Sequence, residues 1–239
     1  MELQVIARIH NDFPTKFGIP RQSGRVPELR GTVVFEPQFR NPDALRGIEG
    51  FSHLWLIWGF SQNAERANWT ATVRPPRLGG NTRMGVFATR SPNRPNPIGL
   101  SCVRLEGIGQ TQEGTVLYVA GADLADGTPI YDIKPYLPAG DCFPEAKGGF
   151  ADGVAGYRLR VEFPPELLAR IEPEKREGLI GVLADDPRPS YQNDPERVYG
   201  FGFAGRDIRF RVAGDTLTVV DIVSGDLTAQ DGKNMPKQR

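Results

Sequence analysis

Residues 73–97, VRPPRLGGNTRMGVFATRSPNRPNP, restrict the fold more than any other stretch of the chain. Pro75, Pro76, Pro92, Pro95 and Pro97 each lock φ and lack a backbone donor, so most of the segment is neither regular helix nor inner strand. Gly79-Gly80-Asn81 is turn chemistry. Between the turns, residues 84–88 form a short apolar run that reads as a buried strand. The segment also carries Arg74, Arg77, Arg83, Arg90 and Arg94 without one Asp or Glu, in a chain whose formal net charge is zero. Guanidinium groups on stiff loops suit bidentate recognition of carboxylate or phosphate. Solvated surface charge is the plain alternative; the proline-locked loops and the missing acids favour binding.

The zero net charge bears on partners. It supplies no global attraction to nucleic acid or an anionic membrane, so such binding must come from a local patch. A high content of Gly (28) and Pro (21) in 239 residues favours turns and short strands over long helices. The two cysteines, Cys102 and Cys142, have no CxxC spacing, which suggests neither a zinc site nor a disulfide framework. With His10 and His53 the only histidines, a multi-histidine metal site is not expected. The N-terminus has no basic, apolar leader pattern, and no stretch approaches a bilayer span. A reduced cytoplasmic setting is the default expectation.

The periodicity divides the chain. Strands are predicted over 2–10, 29–35, 98–108, 116–120 and 128–136. Asn41 caps a short helix through about Arg46, with Pro42 in its first position. FSHLWLIWGF (51–60) is nearly all apolar and reads as buried on both faces, with Trp55 and Trp58 in a core or a dimer interface. In TPIYDIKPY, Asp132, Lys134 and Tyr136 share one face of an extended chain. They are equally a cross-paired solvent face or the lining of a pocket.

Residues 141–156 read as a linker. The expected fold is mainly β: a closed β-barrel over 1–140, then a small α+β domain over 157–224 and a flexible tail over 225–239. The second unit should hold a strand at 157–163, with Leu159 and Val161 inward. Helices are predicted over 164–171 and 173–184, with Leu179, Ile180 and Leu183 on the apolar side, and strands at 199–203, 208–212 and 217–223. The loop 185–195 is stiff and carries Arg188 and Tyr191.

No GxSxG, HExxH, P-loop or dinucleotide glycine pattern is present. What remains is stiff loops bearing Arg, Lys, Gln and Asn. That equipment suits a reaction that mainly needs two reactants aligned, such as methyl transfer from an already activated sulfonium donor.

KFGIPRQSG (16–24), IEGFSHLWLIWGF (48–60), VRPPRLGGNTRMGVFATRSPNRPNPIGLS (73–101), DLADGTPIYDIKPYLP (123–138) and DPRPSY (186–191) together resemble the TrmO family, also called YaeB or TsaA-like. The likeness runs along essentially the whole chain. It implies a homodimeric, S-adenosylmethionine-dependent tRNA methyltransferase that N6-methylates threonylcarbamoyl-adenosine beside the anticodon, on a non-Rossmann β-barrel. Carried over by position, cofactor contacts fall on Pro20, Arg21 and Gln22, on Ser61 and Gln62, on Arg90, on Leu100, and on Leu124, Ala125, Asp126 and Gly127. Ser61 departs from the family pattern, which has histidine there; a hydroxyl keeps a hydrogen bond and loses ring area.

Candidates on the acceptor side are Arg94, Asn96, Asp132, Lys134 and Tyr136. Arg94 and Lys134 suit the acceptor's carboxylate and the neighbouring phosphates, and Asp126 suits cofactor hydroxyls or the adenine amine. Asp132 either assists the acceptor N–H or orients Lys134, the second being the better supported. Arg188 is a candidate grip on the anticodon arm. No metal is implied. The competing readings are a methyltransferase of another substrate on the same scaffold, and a non-catalytic nucleic-acid-binding module.

Overall fold

The computed structural model describes residues 2–62, 69–75, 82–154, 156–188 and 194–224. Pro76, Arg77, the Gly79-Gly80-Asn81 turn, Tyr191 and the expected tail over 225–239 lie outside the described residues. The architecture is mainly β. Six strands hydrogen-bond in a closed ring: β1 (Ala7–Asn11), β2 (Arg30–Phe35), β7 (Gly114–Ala120), β6 (Ile98–Thr111), β3 (His53–Gly59) and β8 (Pro129–Pro135), with β8 returning to β1. All neighbours are antiparallel. The β1–β8 seam is the shortest, with Ala7 opposite Ile130 and Arg8 opposite Pro129. Proline is tolerated there because it opens its strand and forfeits no inner donor. A separate two-stranded ladder pairs β4 (Thr72–Val73) with β5 (Met84–Gly85).

Alternation fills the ring. Ala7, Ile9, Val33, Leu54, Leu56, Val103, Leu117, Val119 and Ile130 point inward and are buried, because successive side chains on a strand face opposite ways. The expectation that 51–60 is buried on both faces gives way to this alternation: Leu54, Leu56 and Trp58 are inside, while His53, Trp55 and Ile57 are half-buried on the outer face. The run at 84–88 also differs from a buried strand. Only Met84 and Gly85 are strand, a 3-10 turn covers Val86–Ala88, Val86 is buried and Phe87 is exposed. Asn41 caps as expected, accepting from the Asp43 N–H, but the element is a single 3-10 turn, Pro42–Leu45.

The second sheet has the order β10 (Tyr199–Phe203), β11 (Arg206–Ala213), β12 (Thr216–Ser224) and β9 (Arg160–Glu162), with β9 parallel to β12. The α-helices among the described residues are α1 (Pro138–Asp141), α2 (Pro165–Leu168) and α3 (Pro173–Ala184); α1 lies where the linker begins. On α3, Gly178, Leu179, Val182 and Leu183 are buried, whereas Ile180, expected inward, is exposed. At 100° per residue, Ile180 falls outside the stripe formed by Gly178, Leu179, Val182 and Leu183.

Phe13, Val26 and Leu29, from the β1–β2 connection, join the core of the second sheet rather than that of the ring. Two glycines on α3 make room for them. A Cβ at Gly178 would stand 3.2 Å from Leu29 Cδ2, and one at Gly181 would stand 2.5 Å from Val26 Cγ1. The Phe13 and Phe203 rings meet edge to face with centroids 5.3 Å apart. Polar contacts follow the same seam: Lys175 Nζ reaches Asp12 Oδ1 at 2.8 Å, and Arg25 Nη2 reaches Asp185 Oδ1 at 2.5 Å. At Gly18, φ is +84° and the Phe201 ring occupies the space a methyl group would need, so only glycine fits.

Candidate functional site

Two of the stiff loops, the 16–24 loop and the arginine segment, meet at one hydrogen bond. Arg90 Nη1 donates to Gln22 Oε1 at 2.5 Å, which joins the 16–24 loop to the arginine segment. Beneath them runs a polar chain. The buried Trp58 indole Nε1 donates to Ser101 Oγ at 2.9 Å, and the Ser101 hydroxyl donates to Asp123 Oδ1 at 2.5 Å. Strand alternation turns Ser101 into the ring interior, where a hydroxyl must find partners. Partial burial pushes the Asp123 carboxyl above the ordinary carboxylate range, while the Ser101 hydroxyl, backbone N–H groups and Arg90 pull it back. The backbone ties the same corner together: Cys102 N donates to Ser23 Oγ at 3.1 Å and Gly24 N to Gly121 O at 2.8 Å. Gln22, Ser23, Arg90, Ser101 and Asp123 therefore form one connected group. Ser23, Ser101 and Asp123 were not singled out from the sequence, and Trp58 was read only as a core or dimer-interface residue. The signal for them was a serine at an inward position of an otherwise apolar strand.

The remaining candidates are distributed differently. Pro20 is buried. Arg21 turns toward the second sheet, where Nη2 donates to Arg188 O at 3.0 Å. Burial lowers its affinity for the proton, and Asp186 and Asp185 oppose that. Ser61 is exposed. Gln62 is fastened to the loop after β1, its Nε2 donating to Pro14 O at 3.0 Å. Leu124 and Ala125 are buried, Leu124 within the ring core, and Leu124 O accepts from Asn11 Nδ2 at 2.8 Å. Asp126 Oδ1 accepts from Asn11 N at 3.0 Å and lies 3.2 Å from His10 Nδ1. Its carboxylate is thus held at the end of β1, and no hydrogen bond links it to Gln22 or Arg90. Gly127, at φ +73°, allows the turn that sends its N–H to Ile9 O at 2.8 Å.

The outer face of the ring gathers another set. Leu100 on β6 lies opposite Ile57 on β3, which lies opposite Asp132 on β8. Two strand spacings separate Leu100 from Asp132, roughly 10 Å. In the next row Cys102, Trp55 and Lys134 are aligned. Leu100 is 50% exposed. Lys134 Nζ pairs with Asp132 Oδ2 at 2.9 Å, the cross-paired arrangement. The Tyr136 ring leans on Trp55 with centroids 5.8 Å apart, and Trp55 Nε1 donates to Asp141 Oδ2 at 3.0 Å. Arg94 braces its own loop, with Nη2 donating to Thr89 O at 3.1 Å and Val86 O at 3.3 Å. Asn96 is exposed, and its carbonyl accepts from Ile98 N at 2.8 Å.

Arg188 does not project as a grip for RNA. Its guanidinium is 9% exposed and donates to the Asp186 carboxylate through Nε at 2.8 Å and Nη2 at 2.9 Å. Among the described residues, no group of three or more His, Cys, Asp or Glu side chains could hold a metal ion. No described helix is long and apolar enough to cross a membrane.

A closed ring of antiparallel strands carrying arginine-bearing, glycine- and proline-stiffened loops defines a class of β proteins distinct from the doubly wound Rossmann architecture. The family model for the tRNA-methyltransferase O N-terminal domain matches residues 8–142, and that for the TrmO C-terminal domain matches 156–225. The chain belongs to the TrmO family. A tRNA (adenine(37)-N6)-methyltransferase of Escherichia coli K12 is 40% identical over 219 residues, covering 88% of this chain and 93% of the relative. A Pseudomonas aeruginosa protein named for S-adenosylmethionine-dependent methyl transfer is 41% identical over 230 residues, covering 92% and 97%. The crystal structure of TrmO from P. aeruginosa superposes with a TM-score of 0.75 at 36% identity, covering 94% of this chain and 97% of that one.

Proposed function

We propose that this chain, an S-adenosylmethionine-dependent tRNA adenine N6-methyltransferase, acts on the threonylcarbamoyl-modified adenosine at position 37. The observation that carries the reading is the Arg90–Gln22 contact over the Trp58–Ser101–Asp123 chain. It presents a guanidinium and an amide together on a braced floor.

S-adenosylmethionine supplies a methyl group already activated by its sulfonium. The protein's task is then alignment, which by itself removes several kcal/mol of barrier. The cradle suits such a ligand: Arg90 keeps N–H donors for a carboxylate or hydroxyl, Gln22 offers a free amide nitrogen, and Leu100 offers apolar area. Asp123 behind them holds the serine hydroxyl and balances Arg90's charge. On the acceptor side, Lys134 is a cation for the threonine carboxylate, held in place by Asp132. Arg94 fixes the shape of the loop through its carbonyl contacts and has remaining donors for phosphate. Arg90, Gln22 and Leu100 would hold S-adenosylmethionine, which would supply the methyl group for N6 as the N6 proton left to water.

We read the closed ring as a barrel scaffold for this site. We read its outer face, where Leu100, Leu137 and Phe143 are exposed around half-buried Trp55, as the face that pairs with a second copy. Residues 157–224 form the unit that approaches the anticodon arm, and the cytoplasm is where the substrate resides. The test is mass spectrometry of nucleosides from tRNA incubated with enzyme and S-adenosylmethionine. Methylation of the threonylcarbamoyl nucleoside at position 37 is expected. Methyl transfer only to another nucleoside, or to a non-RNA acceptor, would replace this substrate, and RNA binding without transfer would replace the enzyme reading.

A further inference from the structure

Trp69 and Phe87 are 50% and 75% exposed, and their rings stack with centroids 6.0 Å apart and planes inclined by 29°. A lone exposed ring on a surface needs no explanation. Two rings held face to face do, because the backbone beneath them is fixed. Trp69 enters the β4–β5 ladder and Phe87 leaves it. The ladder extends by one further bond, Val86 N donating to Ala71 O at 2.9 Å. Val86 is buried, and its carbonyl accepts from Thr89 N, Thr89 Oγ1 and Arg94 Nη2. The pair is therefore presented to solvent on a rigid base.

Its surroundings are cationic. Arg83 Nη1 donates to Thr72 Oγ1 at 2.9 Å on the same ladder, and Arg74 follows β4. Both are exposed, and among the described residues no carboxylate pairs with either. An aromatic face fringed by guanidinium groups, with no carboxylate paired to them among the described residues, is the chemistry that takes up single-stranded nucleic acid. Every base has a π-face to stack, and the phosphates beside it need cations.

We propose that Trp69 and Phe87 form a stacking platform for an unpaired base of the RNA substrate, flanked by Arg74 and Arg83 at the adjacent phosphates. This rests on the reading of tRNA as substrate and adds a place where the RNA is gripped outside the transfer site.

The experiment is fluorescence anisotropy with a labelled synthetic anticodon stem-loop RNA at several salt concentrations. Full-length wild type is compared with Phe87→Ala, Trp69→Ala, Phe87→Tyr and Arg83→Ala, each checked for an unchanged thermal midpoint. Phe87→Ala and Trp69→Ala are expected to raise Kd by about fivefold or more while leaving the salt slope intact. Phe87→Tyr, which keeps the ring, retains wild-type affinity. Arg83→Ala lowers the slope of log K against log salt by about one. A fully paired RNA duplex binds wild type and Phe87→Ala alike. Wild-type binding with unaltered Kd in both alanine variants overturns the platform and leaves the tRNA reading standing. So does a change of sedimentation state with unaltered Kd, which would make the pair a protein–protein contact. A wild type that does not bind the stem-loop at all overturns both.

Discussion

Arg25, from the connection between the first two strands of the ring, grips Asp185 at the end of α3 through Nε at 2.6 Å and Nη2 at 2.5 Å. The Asp185 side chain is only 4% exposed and Arg25 is 17% exposed, so the pair is shielded from salt and water. It sits where Val26 and Leu29 pack into the second core, a few residues from Gln22. The loop that meets Arg90 is thus moored at its other end to the C-terminal end of α3.

Removing one member of a shielded pair takes away the other's nearest counter-charge, although Arg158 Nη1 still lies 3.9 Å from Asp185 Oδ1, so the cost is about 1–3 kcal/mol. Asp185→Ala should therefore lower the urea midpoint substantially, and Arg25→Ala should not add fully to it. A double-mutant cycle checks this. Additive effects would mean that the two side chains act independently.

Arg90→Ala should weaken S-adenosylmethionine binding about tenfold or more by calorimetry, because a hydrogen bond to a charged group contributes about 1.5–3 kcal/mol. Gln22→Ala should have the smaller effect of a neutral partner. Both variants should unfold close to wild type, since Arg90 is exposed. Wild-type cofactor affinity in Arg90→Ala would move the cofactor away from this corner.

Asp132 and Lys134 are 46% and 62% exposed, so their pair contributes at most about 1 kcal/mol to stability. Lys134→Ala should raise KM for tRNA, and Asp132→Asn should raise it less, with kcat changing by no more than a few-fold. A loss in kcat of about a hundredfold or more for Asp132→Asn would instead put that carboxylate on the reacting nitrogen's proton.

Asp123 carries a pH signature. Burial raises its folded pKa above the unfolded value. The native state therefore holds this proton more tightly, and the stability so gained is full below the ordinary carboxylate range and lost as pH rises through the raised value. Asp123→Asn keeps an oxygen to accept from Ser101 and removes the titration. Its unfolding free energy relative to wild type should improve from acid toward neutral pH, as read by urea unfolding across that range. A constant difference would mean that Asp123 titrates normally.

Much of this was legible in the residues. The alternation of 29–35 and 116–120, the β-branched runs and the proline-bounded α3 follow from local physics, because a period of two or 3.6 is written directly in the chain. The five-arginine stretch announced a cation-rich loop, and the shared face of Asp132 and Lys134 left a cross-pair or a pocket lining open, of which the pair is present. Other features failed for identifiable reasons. Residues 84–88 looked like a buried strand because hydrophobicity alone does not distinguish Val86, under the ladder, from Phe87, on top of it. Arg188 looked like a free cation because its partner, Asp186, is only two residues away and pairs with it only in a turn.

By itself the sequence determined most of the strands of the two sheets, where the chain would stiffen, and which loops would carry charge, since those depend on each residue and its near neighbours. Tertiary structure alone decided that Gln22 meets Arg90 across the ring, that Asp126 is held by Asn11 instead, and that Phe13, Val26 and Leu29 serve the second core. These are contacts between residues far apart in the chain. Their pairing is selected by the global packing of two sheets, with room made by Gly178 and Gly181, and no local pattern encodes it.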